Sequence, residues 1–302
     1  MEIKLSKGKH EVQDLGHGPN ISYSIRTVGM YLVIESAIGM AVMWDHKTTV
    51  RILLEPQHRG EVCGLCGNFD GDGQNDFTTQ GQLVVSSVFE FANSWKVSSF
   101  CPGVKYVNPC EATPNRHTWA KTMCSIITGE TFKECHLKVD PVPFYENCVK
   151  DSCACDTGGD CECFCTAVAA YAQACNEAGV SIQWRTPDIC PVFCDYYNVP
   201  DECTWHYRIN HPPCYKTCLN PEGNGNNPLP NLEGCYPECP KDKPIFDETS
   251  KTCVVCCHPP CTTPEPPQCG ISSTTTTTET PTWNTNCNHT VHNTFNWVYN
   301  HS

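Results

Sequence analysis

No stretch of this chain approaches the roughly 20 consecutive apolar residues that a helix needs to cross a bilayer. The longest mildly apolar run, Thr166 to Ala174, is short and rich in alanine, so no membrane partner is expected. Positive charge is also scarce: 20 Lys plus Arg stand against 33 Asp plus Glu, a formal net charge of -13. The basic residues are dispersed without a patch, which disfavours a phosphate backbone as ligand, and no nucleic-acid partner is expected. No Ser/His/Asp grouping or activated cysteine can be placed, so no catalytic residue is assigned and the chain reads as a non-enzyme. Cysteine is absent before Cys63. The opening Met1-Glu2-Ile3-Lys4 also lacks the apolar core of a signal peptide.

After that point cysteine dominates. The chain holds 26 cysteines in 302 residues, five of them (Cys153, Cys155, Cys161, Cys163 and Cys165) within a few turns of chain. A reducing cytosol would keep such thiols apart, so this density places the protein in the secretory pathway or outside the cell. With no leader in view, the reading is a fragment of a larger secreted protein or an incomplete gene product. Zinc is disfavoured, because finger and ribbon sites repeat two short Cys or Cys/His pairs across a fixed spacer and the gaps here follow no such repeat. The chain is too long for one staple-held domain, so several cysteine-rich modules in series are expected.

Residues 1 to about 100 read as β-structure. Tyr31 to Ile34, Met40 to Trp44 and Thr49 to Leu54 are short β-branched and aromatic runs. Gly39 and Asp45-His46-Lys47 separate them, as in an antiparallel meander. From 101 to about 200 the pattern turns helical. Val168, Tyr171, Ala172 and Cys175 recur at i, i+3, i+4 and i+7, a buried stripe that Gly179 would end. Between about 203 and 261 the chain is rich in Pro, Gly, Asn and Cys with little periodicity, and disulfides are expected to replace a core there. Thr262 to Pro267 and Ser272 to Thr282 then form a Ser/Thr/Pro tract that buries no apolar surface and is expected to be extended and O-glycosylated. Three N-glycosylation sequons begin at Asn20, Asn288 and Asn300.

The most chemically specific stretch is Cys63-Gly64-Leu65-Cys66-Gly67-Asn68-Phe69-Asp70-Gly71-Asp72-Gly73-Gln74-Asn75-Asp76. Asn68, Asp70, Asp72, Asn75 and Asp76 place hard oxygen donors on a glycine-bearing loop, which suits calcium. The start copies an EF-hand loop, but Thr79 stands where that loop needs a bidentate Glu and β-like sequence precedes it. An Asx-rich solvated turn reads equally well from spacing alone. Cys63-x-x-Cys66 is followed by a Gly/Asp loop instead of a helix, so structural cysteines are favoured over a redox pair.

These residues resemble a known family. The Cys-Gly-Leu-Cys-Gly-Asn-Phe-Asp-Gly segment, with Phe91-Ala92-Asn93-Ser94-Trp95-Lys96-Val97 and Cys101-Pro102, resembles the second half of a von Willebrand factor type D domain. Cys153-Ala154-Cys155, Asp160-Cys161-Glu162-Cys163-Phe164-Cys165 and Trp184-Arg185-Thr186-Pro187 look like the cysteine-eight domain that follows it. Leu232-Glu233-Gly234-Cys235-Tyr236-Pro237 is similar to a trypsin-inhibitor-like domain. Together they resemble the third type D assembly of a gel-forming mucin of the mucin-2 or mucin-5 type, directly before its Thr/Pro-rich region. The implied fold is multi-domain and disulfide-rich. It runs from a partial antiparallel β type D domain (residues 1–101) to a small α-rich cysteine-eight domain (110–200) and a loop-rich trypsin-inhibitor-like domain (203–261). A disordered Ser/Thr/Pro linker (262–282) follows, and 283–302 stay unassigned.

The resemblance implies a secreted structural glycoprotein whose disulfides link chains into a mucus network. Calcium would be held by Asn68, Asp70, Asn75 and Asp76, with Asp72 an added acidic candidate; a further acidic ligand would come from a first half of the domain that this chain lacks. Cys163 and Cys203 would each pair with its own copy across a two-fold axis, while intrachain bridges are the alternative for both. Cys63, Cys66 and Cys101 would pair with cysteines of that first half. The partner is thus a second copy of the chain, with other mucus glycoproteins as further candidates. The competing readings are a non-polymerising adhesion protein of the zonadhesin or tectorin kind and a protease inhibitor acting through residues 203 to 257. The Thr274 to Thr282 tract favours the mucin.

Overall fold

The structure is a computed structural model that describes residues 2–6, 8–16, 21–155, 160–199, 204–213, 215–223 and 229–257, with only the backbone described at 160 and 161. Cys203, the three sequon asparagines and the whole Ser/Thr/Pro tract lie outside the described residues.

A small hairpin, β1 (Glu2–Ser6) and β2 (Lys9–Gln13), precedes a four-stranded antiparallel meander, β3 (Tyr23–Val28), β4 (Tyr31–Ser36), β5 (Met40–Trp44) and β6 (Val50–Leu54). The β-branched and aromatic runs read from sequence become β4, β5 and β6 in neighbouring register, Val33 opposite Met43 and Val42 opposite Ile52. The Asp45 carboxylate accepts from the Lys47 and Thr49 amides and so shapes the β5–β6 turn. All six residues of β4 are buried, so this strand is covered on both faces. Beyond the sheet the chain loops to α1 (Val88–Ser94), where the Ser87 hydroxyl accepts from the Glu90 amide.

Four helices build the next module: α2 (Pro109–Ala112), α3 (Pro114–Cys124), α4 (Val142–Ala154) and α5 (Asp160–Glu177). Val168, Tyr171, Ala172 and Cys175 of α5 are all buried, as their spacing requires. Gly179 follows at φ +81, and the Val180 amide folds back onto the Cys175 carbonyl, closing the helix end. Tyr171, Phe132 and Trp184 form the aromatic centre, and the Tyr171 hydroxyl donates to the Val139 carbonyl. Cys110–Cys153, Cys124–Cys148, Cys135–Cys175 and Cys165–Cys190 staple the helices to one another and to the loop beyond α5. Each closes a loop of 24 to 43 residues, a constraint on the unfolded chain of roughly 3–4 kcal/mol.

The last described module has two short hairpins, β7 (Trp205–His211) with β8 (Leu232–Pro237) and β9 (Ile245–Asp247) with β10 (Thr252–Val254). Cys218–Cys257 and Cys239–Cys253 hold it, and Cys194–Cys235 ties it to the helical module. Leu232 and Tyr236 of β8 pack on Val28, Tyr31, Val33 and Met43 of the meander, a joint that the sequence did not announce. Here backbone meets backbone. A Cβ on Gly234 (φ +152) would run into Gly29, and one on Gly29 (φ +59) would run into the Glu233 carbonyl and the Tyr236 hydroxyl. Only glycine allows that approach.

Candidate functional site

The Asx-rich loop brings part of the expected ligand set together. Asp70 is its hub: its carboxylate accepts from Asn68 Nδ2 at 2.8 Å, Asn75 Nδ2 at 2.7 Å and the Asp72 amide at 2.7 Å. These donors, led by the Asn75 amide, hold its pKa below the ordinary carboxylate value. Gly67 (φ +80) lies so close to the Asp76 carboxylate that any side chain there would displace it, and Phe69 also takes a left-handed backbone at φ 59. Asn75 Oδ1 is buried and has no hydrogen-bond partner. Asp72 instead accepts from the Gln74 amide in a separate Asx turn.

Among the described residues no three His, Cys, Asp or Glu side chains cluster closely enough to hold a metal ion. At the Asp70 hub Asn68 and Asn75 turn amide nitrogens toward the carboxylate, which leaves the Asn75 amide oxygen as a buried hard donor with no partner. Asp72 and the hub do not form a closed cage.

The cysteines divide into bridges and thiols. Cys66 is exposed and Cys101 half-buried, and both carry free thiols; Cys63 is also exposed. A Gly/Asp turn, not a helix, directly follows Cys66. Cys163, half-buried near the start of α5, is bridged to Cys155, a different partner from the second copy that the resemblance assigned it. The reason is local: α4 ends at Ala154 and α5 begins at Asp160, and the two Cα atoms lie 6.4 Å apart.

Sequence reasoning missed the charged joints between modules. Arg185 forks onto Glu233 of β8, Nε to Oε1 at 2.5 Å and Nη2 to Oε2 at 3.0 Å. Its third nitrogen donates to the Cys190 carbonyl at 2.9 Å, the guanidinium lies over the Trp184 ring, and Tyr207 donates its hydroxyl to Glu233. Burial and Glu233 together push the Tyr207 phenol far up, so it stays a donor. Arg26 pairs with buried Glu35 at 2.7 Å and donates to the Pro213 carbonyl at 3.0 Å. From α5, Gln173 reaches the Asn231 carbonyl, Asn176 the Ile209 carbonyl, and Glu177 receives Arg51 of β6. Arg185 and Glu233 both sit inside the motifs that carry the resemblance, but a buried ion pair between residues so far apart leaves no periodic trace.

Comparison with known proteins agrees with this layout. Residues 3–83 match the von Willebrand factor type D domain, residues 123–191 the C8 domain and residues 203–259 the Otogelin-like/Mucin TIL domain. The chain is 52% identical to Mucin-5AC of Homo sapiens over 271 residues, 89% of this chain and 5% of that protein. It is 53% identical to Mucin-2 of Mus musculus over 255 residues, 84% of this chain and 6% of that protein. With Mucin-5B of Gallus gallus it shares 51% over 265 residues, 88% of this chain and 12% of that protein. The chain thus spans a small fraction of the length of the curated relatives it matches. No described helix is long and apolar enough to cross a membrane. Three domains in the same order, carried on a disulfide-rich scaffold and at about half identity to these mucins, place the chain in the gel-forming mucin family as a type D assembly.

Proposed function

We propose that this chain is a chain-linking scaffold of a secreted gel-forming mucin, the third type D assembly of its polymer, and that it acts by covalent self-association and not by catalysis. The observation that supports this best is the way α5 bonds to both neighbouring modules while presenting Cys163 near its start. A link made there is carried into the whole body, as a load-bearing joint of a polymer requires. Within one chain Cys155 occupies Cys163. Attack on the Cys155 sulfur by a thiolate of a disulfide-exchange protein of the secretory pathway would release Cys163 as the thiolate leaving group. Two such thiolates from two copies then join into one disulfide, and the two electrons pass to a protein disulfide of the secretory pathway, which is reduced to two thiols. Cys203 is the second cysteine proposed to pair with its own copy.

Calcium belongs to the same proposal. Asn68, Asp70, Asn75 and Asp76 would hold it, and rotation of the Asn75 amide would turn oxygen instead of nitrogen toward the ion. The ion supplies a hard positive charge that draws these oxygens together. The protein's part is to hold the Asp70 carboxylate ionised and the loop tightly turned at Gly67.

Electrophoresis of the secreted protein with and without reductant tests the linking role. A covalent dimer that disappears in Cys163→Ala plus Cys203→Ala is the expected result. A monomer in both would overturn it in favour of an adhesion or inhibitor role. For calcium, titration calorimetry should show binding to the wild type that Asp70→Ala abolishes, and equal heats from both would remove the ion from the reading.

A further inference from the structure

We infer that residues 102–107, the link between the β-region and the helical module, are a processing site for a serine protease of trypsin specificity, which cuts after Lys105 and leaves the two pieces docked. The site needs neither Cys163, Cys203 nor bound calcium. A protease cleft grips several consecutive residues in extended form, so a bond is cut where the chain on both sides of it is exposed and outside regular structure. Every residue from Pro102 to Val107 is exposed, and none belongs to a helix, strand or turn. Tyr106 and Val107, on the far side of the bond, are 74% and 72% exposed.

The way the link is held suits such a cleft. Asn93 of α1 takes both main-chain groups of Val104: the Val104 amide donates to Asn93 Oδ1 at 2.7 Å, and Asn93 Nδ2 donates to the Val104 carbonyl at 3.4 Å. In an extended chain the N–H and C=O of one residue point to one side and those of its two neighbours to the other. The anchored side therefore belongs to Val104 and the open side to Gly103 and Lys105, whose main-chain groups carry no described hydrogen bond. A protease that adds the link to its own β-edge pairs with alternate residues, so it takes Gly103 and Lys105 without breaking the hold of Asn93. Lys105, exposed and cationic, then enters an acidic specificity pocket. The Lys105–Tyr106 C–N bond breaks; water gives its hydroxyl to the Lys105 carbonyl carbon and a proton to the Tyr106 nitrogen. Other basic residues are less open to this reaction: Lys121 and Lys150 lie within helices, Arg51 lies within β6, and Lys243 precedes Pro244. The cut severs the chain but not the body. The described disulfides all lie from Cys110 onward, so none of them spans it. Leu232 and Tyr236 stay packed on Val28, Tyr31, Val33 and Met43, and Arg51 stays on Glu177 across the same divide. Cleavage thus turns a covalent connection into one held by contact alone.

Trypsin in limiting amount, added to the secreted protein, is the probe. The expected first products are a fragment ending at Lys105 and one beginning at Tyr106, identified by mass and by the new N-terminus. They should separate in denaturing electrophoresis without reductant, yet elute together on gel filtration. Lys105→Gln should slow the loss of intact chain about tenfold or more, with the thermal midpoint of wild type. Tyr106→Pro, which leaves the lysine in place, should slow the cut as well. A first cut elsewhere, or equal rates in wild type and Lys105→Gln, overturns the site. Fragments that stay joined without reductant, or that part on gel filtration, overturn the docked product held by contact alone. Since none of these readouts involves Cys163 or Cys203, their failure leaves the chain-linking reading standing, and a monomeric wild type leaves the processing site standing.

Discussion

Five disulfides lie within the helical module, whereas the β-meander before it holds no cysteine in any strand. The helical module buries Phe132, Tyr171 and Trp184 within itself. The meander completes its core with Leu232 and Tyr236 of a module some two hundred residues away in sequence. Beyond the meander, Val97, Phe100 and Tyr106 stand largely in solvent, near the free thiol of Cys101 in sequence. A stapled module carries its stability in the restricted unfolded chain. An unstapled sheet has to borrow surface from a neighbour, so its order is coupled to that neighbour's docking.

The largest expected effect strikes the stapled side. Cys135→Ala plus Cys175→Ala opens a 40-residue loop and should cost about 4 kcal/mol. Urea unfolding followed by tryptophan fluorescence measures it, and a loss under 1 kcal/mol would mean that packing, not the staple, holds α5.

Next comes the joint. Arg185→Met leaves Glu233 buried and unpaired; at 9% and 6% side-chain exposure, a loss of about 3 kcal/mol is expected. Hydrogen exchange should then quicken in β4 as well as in β8. Faster exchange in β8 alone would show that the meander does not depend on its neighbour.

A smaller effect is expected from acid. His211 stacks on Tyr236 at 4.0 Å and meets Tyr215 edge-on, with Arg208 and Glu238 as the charges that act on it. Burial is the main force lowering its pKa below 6.5, and Arg208 adds to it. The unfolded chain therefore binds this proton more readily than the folded one. The stability it contributes is complete above pH 6.5 and is lost as pH falls through the lowered folded value. Thermal midpoints of wild type should drop across that window more than those of His211→Phe, and parallel curves would assign the change elsewhere.

The smallest effect is expected at the exposed apolar segment. Phe100 is 96% exposed, and Phe100→Ser should shift stability by no more than about 0.5 kcal/mol. A larger loss in the same unfolding assay would reveal packing of this ring that the structure does not show.

Much of this was legible beforehand because it is local. The runs at Tyr31, Met40 and Thr49 could only make strands, and the Val168, Tyr171, Ala172, Cys175 stripe could only face a helical core. The Asx loop was legible as a set of donors, but Asp70's place as hub was not, since Asn68 and Asn75 reach it through side-chain rotamers. Cys163 shows the limit for cysteines. Its bridge to Cys155 depends on how closely α4 and α5 approach, and among so many thiols sequence admits many pairings.

Composition and local periodicity were enough to set the disulfide-rich character, the order of β-, helical and loop-rich modules, and the hard-oxygen donors of the loop at Asn68. They act through neighbours in the chain, within a turn of helix or a pair of strands. The contact of Gly29 with Gly234 and the fork of Arg185 onto Glu233 join residues that are distant in sequence. Such contacts exist only once the chain has folded, because burial, close backbone approach and charge pairing are properties of shared space, and no single segment encodes them.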